Sequence, residues 1–246
     1  MIVAAERLRL DQALVSRGLV ASRERGQALI RAGLVTVSGR VAERPDQLVE
    51  PATPIAVRST DAYASRGGEK LAAALDQLRI DPRGRSCLDV GASTGGFTDV
   101  LLRRGANRVI AVDVGYGQLA WSLRQDPRVI VMERVNIRHL DRLPVEADLG
   151  VVDVSFISLR LVLPVVRGLL SPPGDVVALV KPQFEAGKGQ VGKGGVVRDP
   201  AVHSQVLREL REFAATIGYG VLGETPSPIL GAKGNREFFL HLVPDA

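Results

Sequence analysis

The chain has one cysteine, one tryptophan, three tyrosines and three histidines among its 246 residues, and aromatic residues make up only 4% of it. A single thiol excludes a disulfide framework and suits a reducing compartment. Cys87 sits in an apolar run and reads as a small buried hydrophobe. His139, His203 and His241 are scattered without ligand spacing, so no metal is expected. No uninterrupted apolar run approaches the ~18 residues of a membrane span, and no charged-then-apolar leader opens the chain. Those absences point to a soluble cytoplasmic protein with no membrane partner. With hydrophobic residues at 46% and so few rings, the core must be aliphatic.

Lysine is the other scarcity. Of 32 basic residues only five are lysines, at Lys70, Lys181, Lys188, Lys193 and Lys233, and the formal net charge is +5. The positive balance points towards a polyanion. Burial or a cationic neighbour can bring lysine to neutrality, whereas arginine stays charged, so a chain that otherwise prefers arginine has kept lysine in few places.

Residues 1–58 read as a module of their own. Leu10, Ala13 and Leu14 stand at helical spacing, Ser22 is placed to cap a second helix over 23–32, and Gly33 stops it. Residues 34–41 alternate around Ser38-Gly39 as a hairpin. Arg9, Arg17, Arg23, Arg25, Arg31 and Arg40 decorate the unit. Arg9-Leu-Asp-Gln-Ala-Leu14, Ser22-Arg-Glu-Arg25 and Ile30-Arg-Ala-Gly-Leu-Val-Thr-Val-Ser-Gly-Arg40 resemble the small S-four-type RNA-binding domain. Arg9-Leu-Asp11 alone is similar to the catalytic triplet of pseudouridine synthases, but no Thr/Ser-Gly-Gly run follows it, which excludes that reading. Arg9, Arg23, Arg25 and Arg31 are therefore expected to contact RNA.

Residues 59–68 are polar, end in two glycines and read as a linker. Residues 69–246 alternate strand and helix. Helices are expected over 69–78, 96–104, 118–124, 159–170 and 201–217, and strands over 86–90, 109–114, 129–133, 149–154, 176–180, 220–224 and 237–243. That order predicts an α/β fold with a mostly parallel sheet covered on both faces, binding its ligand at the carboxyl ends of the strands.

The stretch Ser86-Cys-Leu-Asp-Val-Gly-Ala-Ser-Thr-Gly-Gly-Phe-Thr-Asp99 reads as buried strand, tight loop and helix start. Glycines at 91, 95 and 96 permit positive φ and close approach of a ligand, and a helix N-terminus offers free N–H groups. The spacing is not the dinucleotide G-x-G-x-x-G, because Ser93 stands where a glycine is needed. Asp89 suits a positive group such as the amino-acid part of S-adenosylmethionine, and Asp113 suits both ribose hydroxyls of a nucleoside. Gly91, Ser93, Thr94, Gly95, Gly96 and Phe97, with Asp89, Asp113, Val114, Asn136 and Asp153, are the expected cofactor contacts.

Lys181 follows five apolar residues and precedes Pro182. Its ammonium is expected in the cleft near Asp153, one strand spacing away. Lys70, Asp153, Lys181 and Glu237 match, in order and context, the Lys-Asp-Lys-Glu set of FtsJ-like ribose 2′-O-methyltransferases. With the first module, the whole chain resembles the TlyA family of ribosomal RNA methyltransferases, some of which are also labelled haemolysins. The resemblance implies a Rossmann-like class I methyltransferase domain, S-adenosylmethionine as cofactor, and methylation of cytidine riboses in ribosomal RNA within ribosomal subunits.

A ribose hydroxyl becomes a nucleophile only when it loses its proton, and a neutral Lys181 amine can take it, with Lys70 as the cation that lowers its pKa. Asp153 is expected to orient Lys181 and hold the cofactor's amino group, and Glu237 to position Lys70 or the attacking sugar. Lys188, Lys193 and Arg198 lie on a glycine-rich loop suited to the phosphates of a substrate strand. The competing readings are a non-catalytic RNA-binding assembly factor and a membrane-lytic haemolysin. Retention of all four site residues weighs against the first. The lack of a spanning segment weighs against the second.

Overall fold

A computed structural model describes residues 7–20, 22–31, 33–57, 63–187 and 189–245; Lys188 and 59–62 of the expected linker lie outside the described residues. The chain divides into two compact units, Met1–Asp61 and Ala62–Ala246.

The first unit runs β1 (Leu8–Arg9), α1 (Leu10–Ser16), α2 (Arg23–Arg31), β2 (Val35–Val37), β3 (Arg40–Val41), β4 (Leu48–Val49) and β5 (Ile55–Val57). Ser22 caps α2 as its sequence position predicts, its Oγ accepting the Arg25 N–H at 3.2 Å. β2 and β3 form the expected hairpin, and its turn residues Ser38 and Gly39 both have positive φ, as the tight turn that matches strand twist requires. β5 adds to β2, and β1 pairs with β4. These two- and three-residue strands are too short to leave a period-two signal. Leu10, Ala13 and Leu14 of α1 close a small core with Leu29, Ile30, Val35 and Val49.

The second unit runs α3 (Arg66–Leu78), β6 (Ser86–Val90), α4 (Gly96–Arg103), β7 (Arg108–Asp113), α5 (Trp121–Arg124), β8 (Val129–Glu133), β9 (Leu149–Val152), α6 (Leu163–Leu169), β10 (Asp175–Val180), α7 (Pro182–Glu185), α8 (Pro200–Thr216), β11 (Tyr219–Pro226) and β12 (Phe238–Pro244). Its seven-stranded sheet has the order β11-β12-β10-β9-β6-β7-β8. The five strands from β10 to β8 are parallel, and β12 runs antiparallel to both its neighbours. Alternate strand residues face opposite layers. Leu88, Val90, Val176, Ala178 and Val180 pack with α6 and α8, while Cys87, Val109, Leu149, Val151 and Phe239 pack with α3 and α4. Both faces are covered, so the strands read as continuous apolar runs.

Three expected helices change, and the one expected over 118–124 shortens to Trp121–Arg124. The first begins at Arg66 instead of 69, because Ser65 caps it by accepting the Gly67 N–H at 3.2 Å; residues 63–68 of the expected linker thus belong to the second unit. The helix expected over 159–170 breaks into a 3-10 turn (Leu159–Leu161) and α6, with Pro164 in the first turn of α6, where its missing N–H costs nothing.

At the amino ends of the parallel strands a buried charge cluster ties three of them. Arg85, just before β6, donates to Asp148 Oδ1 at 2.8 Å, to the Asp148 carbonyl at 2.5 Å and to both Asp175 oxygens, and His241 Nε2 donates to Asp175 at 3.1 Å. Burial alone pushes the Asp175 carboxyl up, but the hydrogen bonds from His241 and Arg85 outweigh it and hold it at about 2. The folded value lies below the ordinary 3.8, so this stabilisation is present above pH ~4 and is lost as pH falls through about 2. Asp175→Ala, which leaves His241 without its acceptor and Arg85 with Asp148 alone, is expected to cost ~3 kcal/mol at neutral pH. Thermal melting of both proteins between pH 7 and 2 should show the gap closing in acid; a gap independent of pH would exclude the ion pair as its source.

Candidate active site

The site forms where the strand order reverses, between β6 and β9, at the carboxyl ends of the parallel strands. Two clefts adjoin there and share Gly91, Ser93 and Asp153. The larger, about 530 Å³, is also lined by Asp113, Val114, Gln118, Asn136 and Phe156. The smaller, about 250 Å³, takes Lys70, Thr94, Gly96 and Phe97. Gly91 has φ 86°, and a Cβ there would stand 2.4 Å from the Asp153 carbonyl oxygen, so only glycine lets β6 turn over β9. Gly95 lines neither cleft. A Cβ on it would strike Leu123 at 2.2 Å, so its service is to packing at the start of α4.

Asp113 ends β7 and stands at the larger cleft, its carboxylate held by backbone N–H groups of Ser93 (2.8 Å) and Gly115 (2.6 Å). Asn136 follows β8, and its Oδ1 accepts the Arg138 N–H. Asp89 stands differently from the expectation of a cleft wall. It is fully buried, its Oδ2 accepts the Thr98 hydroxyl at 2.6 Å, and its Oδ1 has no hydrogen-bond partner. The period-two alternation of β6 turns it in among Cys87 and α4, beneath the glycine loop.

The four chemistry-bearing residues meet as two ion pairs. Lys70 Nζ stands 2.5 Å from Glu237 Oε2, and Lys181 Nζ stands 2.6 Å from Asp153 Oδ1. Lys181 comes from the end of β10 and Asp153 from the end of β9, which are adjacent parallel strands. Lys70 is on α3, and Glu237 directly precedes β12. A Cβ on Gly231 would lie 1.9 Å from Glu237 Oε1, so that glycine makes room for the carboxylate. Lys70 and Asp153 face the smaller cleft, and Glu237 and Lys181 stand beside them.

Two residues escaped the sequence reading. Ser155 Oγ accepts a hydrogen bond from Lys181 at 2.7 Å, beside the ion pair with Asp153. Glu185 accepts from the Ser158 hydroxyl (2.6 Å) and the Leu159 N–H (2.7 Å), tying the segment after β9 to α7. Burial pushes the Glu185 carboxyl above its ordinary range against those two bonds. The available signal was spacing: Asp153-x-Ser155 and Lys181 to Glu185 each follow a strand end directly. Phe156, in the same segment, has φ 63° and is 90% exposed, with its ring 5.0 Å from that of Phe184. Lys193 is exposed, and the loop that carries it is fastened at its end, where Asn235 Oδ1 accepts the Val197 N–H and Asn235 Nδ2 donates to the Gly195 carbonyl.

In the first unit Arg9, Arg23, Arg25 and Arg31 all reach solvent. Arg17 does not serve as a free surface charge, because it donates to the carbonyls of Glu50, Pro51 and Thr53.

Burial first, and the charges of Asp153 and Asp113 after it, push Asp89 up to about 7 against its bond from Thr98. The folded protein therefore holds a proton that the unfolded chain, near 3.8, releases, and this contribution falls as pH rises from ~4 through about 7. Asp89→Asn, which has no proton to lose, is expected to flatten the decline in melting temperature over that window. An equally steep decline in the variant would show that Asp89 is ionised throughout.

Comparison with known proteins agrees with this architecture. The FtsJ-like methyltransferase model matches residues 63–243 and the S4 domain model residues 8–55. The chain is 50% identical, over 97% of its length and 90% of the relative's, to the 16S/23S rRNA (cytidine-2'-O)-methyltransferase TlyA of Mycobacterium tuberculosis. It is 38% identical to Hemolysin A of Brachyspira hyodysenteriae, over 96% of this chain and 100% of that one. The solved structure of a candidate hemolysin from Streptococcus thermophilus superposes with a TM-score of 0.76 at 42% identity, covering 98% of this chain and 90% of the other. With an S4 domain ahead of a parallel-sheet unit that carries both ion pairs, the chain belongs to the TlyA family of FtsJ-like methyltransferases.

Proposed function

We propose that this chain transfers a methyl group from S-adenosylmethionine to a ribose 2′-hydroxyl of ribosomal RNA, with a cytidine ribose in a ribosomal subunit as acceptor. The observation that carries the chemistry is Lys181 held between Asp153 and Ser155 at the rim of the paired clefts. The residues present fit the cofactor. Asp113 offers a carboxylate to ribose hydroxyls, Asp153 supplies negative charge on the side of the amino-acid part, and the missing Cβ of Gly91 leaves backbone open to close approach. When bound, S-adenosylmethionine supplies a sulfonium-activated methyl group, so the chain's task is to align the acceptor and remove its proton.

Lys181 takes that proton as its free amine, while Asp153 and Ser155 fix the nitrogen's direction. Lys70, steadied by Glu237, faces the smaller cleft and offers an ammonium to the deprotonating oxygen. The exposed Phe156 ring offers a flat surface on which an unstacked base can lie. Arg9, Arg23, Arg25, Arg31, Lys188 and Lys193 supply contacts to the RNA backbone. An RNA substrate in ribosomal subunits puts the protein in the cytoplasm. The haemolysin name of some relatives is tested by dye release from liposomes with pure protein, and no release is expected.

S-adenosylhomocysteine should bind in a calorimetric titration and Asp113→Ala should weaken it about tenfold or more, the cost of removing a charged hydrogen-bond partner. Binding of NAD in its place would overturn the cofactor assignment.

Lys181→Arg should keep charge and approximate length yet slow single-turnover methyl transfer ~100- to 10,000-fold, because a guanidinium does not accept a proton at working pH. Cofactor affinity should change little. A near-normal rate in Lys181→Arg would leave Lys181 an electrostatic role and move the base elsewhere.

A further inference from the structure

Among the described residues of the first unit, Asp11 is the most completely enclosed acid. Its side chain has no solvent exposure, yet burial does not neutralise it, because hydrogen bonds from Arg9 first, then Gln27 and Arg23, hold its carboxyl far below the usual range. Oδ1 accepts from Arg9 Nε at 3.1 Å. Oδ2 accepts from Arg9 Nη2 at 3.1 Å, Arg23 Nη2 at 3.1 Å and Gln27 Nε2 at 2.8 Å. Arg9 precedes α1 and Arg23 opens α2, so the two guanidinium groups come from different elements and converge on one oxygen.

The arginines are not themselves buried. Their side chains remain 41% and 48% exposed. Each therefore spends part of its donor fork on Asp11 and presents the rest to solvent. A carboxylate buried only to hold two exposed cations contributes little net stability, since an apolar side chain of similar size often serves a core as well. What it does supply is geometry. Free arginine side chains lose rotamer freedom when they grip a ligand, and these two have lost it already. Among the described residues, the nearby acids are hydrogen-bonded elsewhere, Asp46 to Arg44 and Glu24 to Ser22, and act on Arg9 and Arg23 through charge alone. The outward set is two planar cations gathered on one carboxylate, and a guanidinium fork suits the oxygens of a phosphodiester group.

We propose that Asp11 is a positioning residue for phosphate recognition, pinning the Arg9 and Arg23 forks so that their outward N–H groups grip the RNA backbone. This rests on the reading of Arg9 and Arg23 as RNA contacts. Charge and geometry give opposite signs here, which makes the proposal testable. Asp11→Asn removes a negative charge, so electrostatics alone tightens RNA binding; loss of pinning weakens it.

The experiment is equilibrium binding of the full chain to purified bacterial ribosomal RNA between about 50 and 200 mM salt. Calorimetric binding of S-adenosylhomocysteine and a thermal melt serve as controls for folding. Asp11→Asn should bind about tenfold more weakly than wild type with cofactor affinity unchanged. The double variant Arg9→Gln/Arg23→Gln should weaken binding at least as much and flatten the salt dependence by ~0.7–0.9 for each phosphate left without its cation. Arg9→Lys/Arg23→Lys keeps both charges and should still lose affinity, because an ammonium lacks the fork.

If Asp11→Asn binds as well as wild type or better while the glutamine variant is weakened, the positioning role is wrong and the RNA contacts stand. If the glutamine variant keeps wild-type affinity, the RNA contacts themselves are wrong. Should Asp11→Asn melt the module, the lysine variant decides, and wild-type affinity there overturns the proposal.

Discussion

An ionised side chain removed from water needs an opposite charge or several kcal/mol of compensation, and this chain meets that demand in pairs at each place where its chemistry matters. Lys70 is 11% exposed and has Glu237; Lys181, equally buried, has Asp153. Neither lysine would stay at the end of an aliphatic sheet without its partner. The pairing also confers direction, since an ammonium held by one carboxylate and one hydroxyl has a defined face left for a substrate. The same rule governs Arg85 with Asp148 and Asp175 at the opposite ends of the strands, and Arg9 and Arg23 on Asp11 in the first unit.

The sheet makes those pairings possible. Asp153 and Lys181 are far apart along the chain but leave adjacent parallel strands at the same edge. Glu237 reaches Lys70 because β12 runs antiparallel beside β10, so the start of β12 lies at the edge where the parallel strands end. Reversal of strand order between β6 and β9 then opens the crevice that both pairs border. The glycine loop is shaped by two different pressures within it. Gly91 yields to a carbonyl oxygen across the crevice, Gly95 to leucine side chains behind the loop. Close approach of a ligand is a consequence of the first alone.

Much of this is legible in the residues alone. The strands at 86–90 and 129–133 coincide with β6 and β8, because each is a short, mainly apolar stretch bounded by turn residues. Lys181 is readable as the neighbour of Asp153 from five apolar residues on one side and Pro182 on the other. Ser22 and the Ser38-Gly39 turn are readable because caps and tight turns depend on chemistry within a few residues.

The physical division is between local and non-local determinants. Period, cap and turn chemistry act over neighbouring residues, so the sequence by itself determined the α/β order, the strand ends that carry Asp113, Asp153 and Lys181, and the basic character of the first module. It did not reveal that Asp89 points inward beneath the loop, because period-two alternation leaves open which face of β6 meets α4 and which meets the cleft. Nor did it reveal that Ser155 joins Asp153 on Lys181, that Glu185 ties down the segment after β9, or that Arg17 is spent on backbone carbonyls while Arg9 and Arg23 share Asp11. Those partnerships join segments distant in the chain. Only tertiary packing decides them, because a hydrogen bond depends on where two atoms come to rest and no period in the sequence encodes that position.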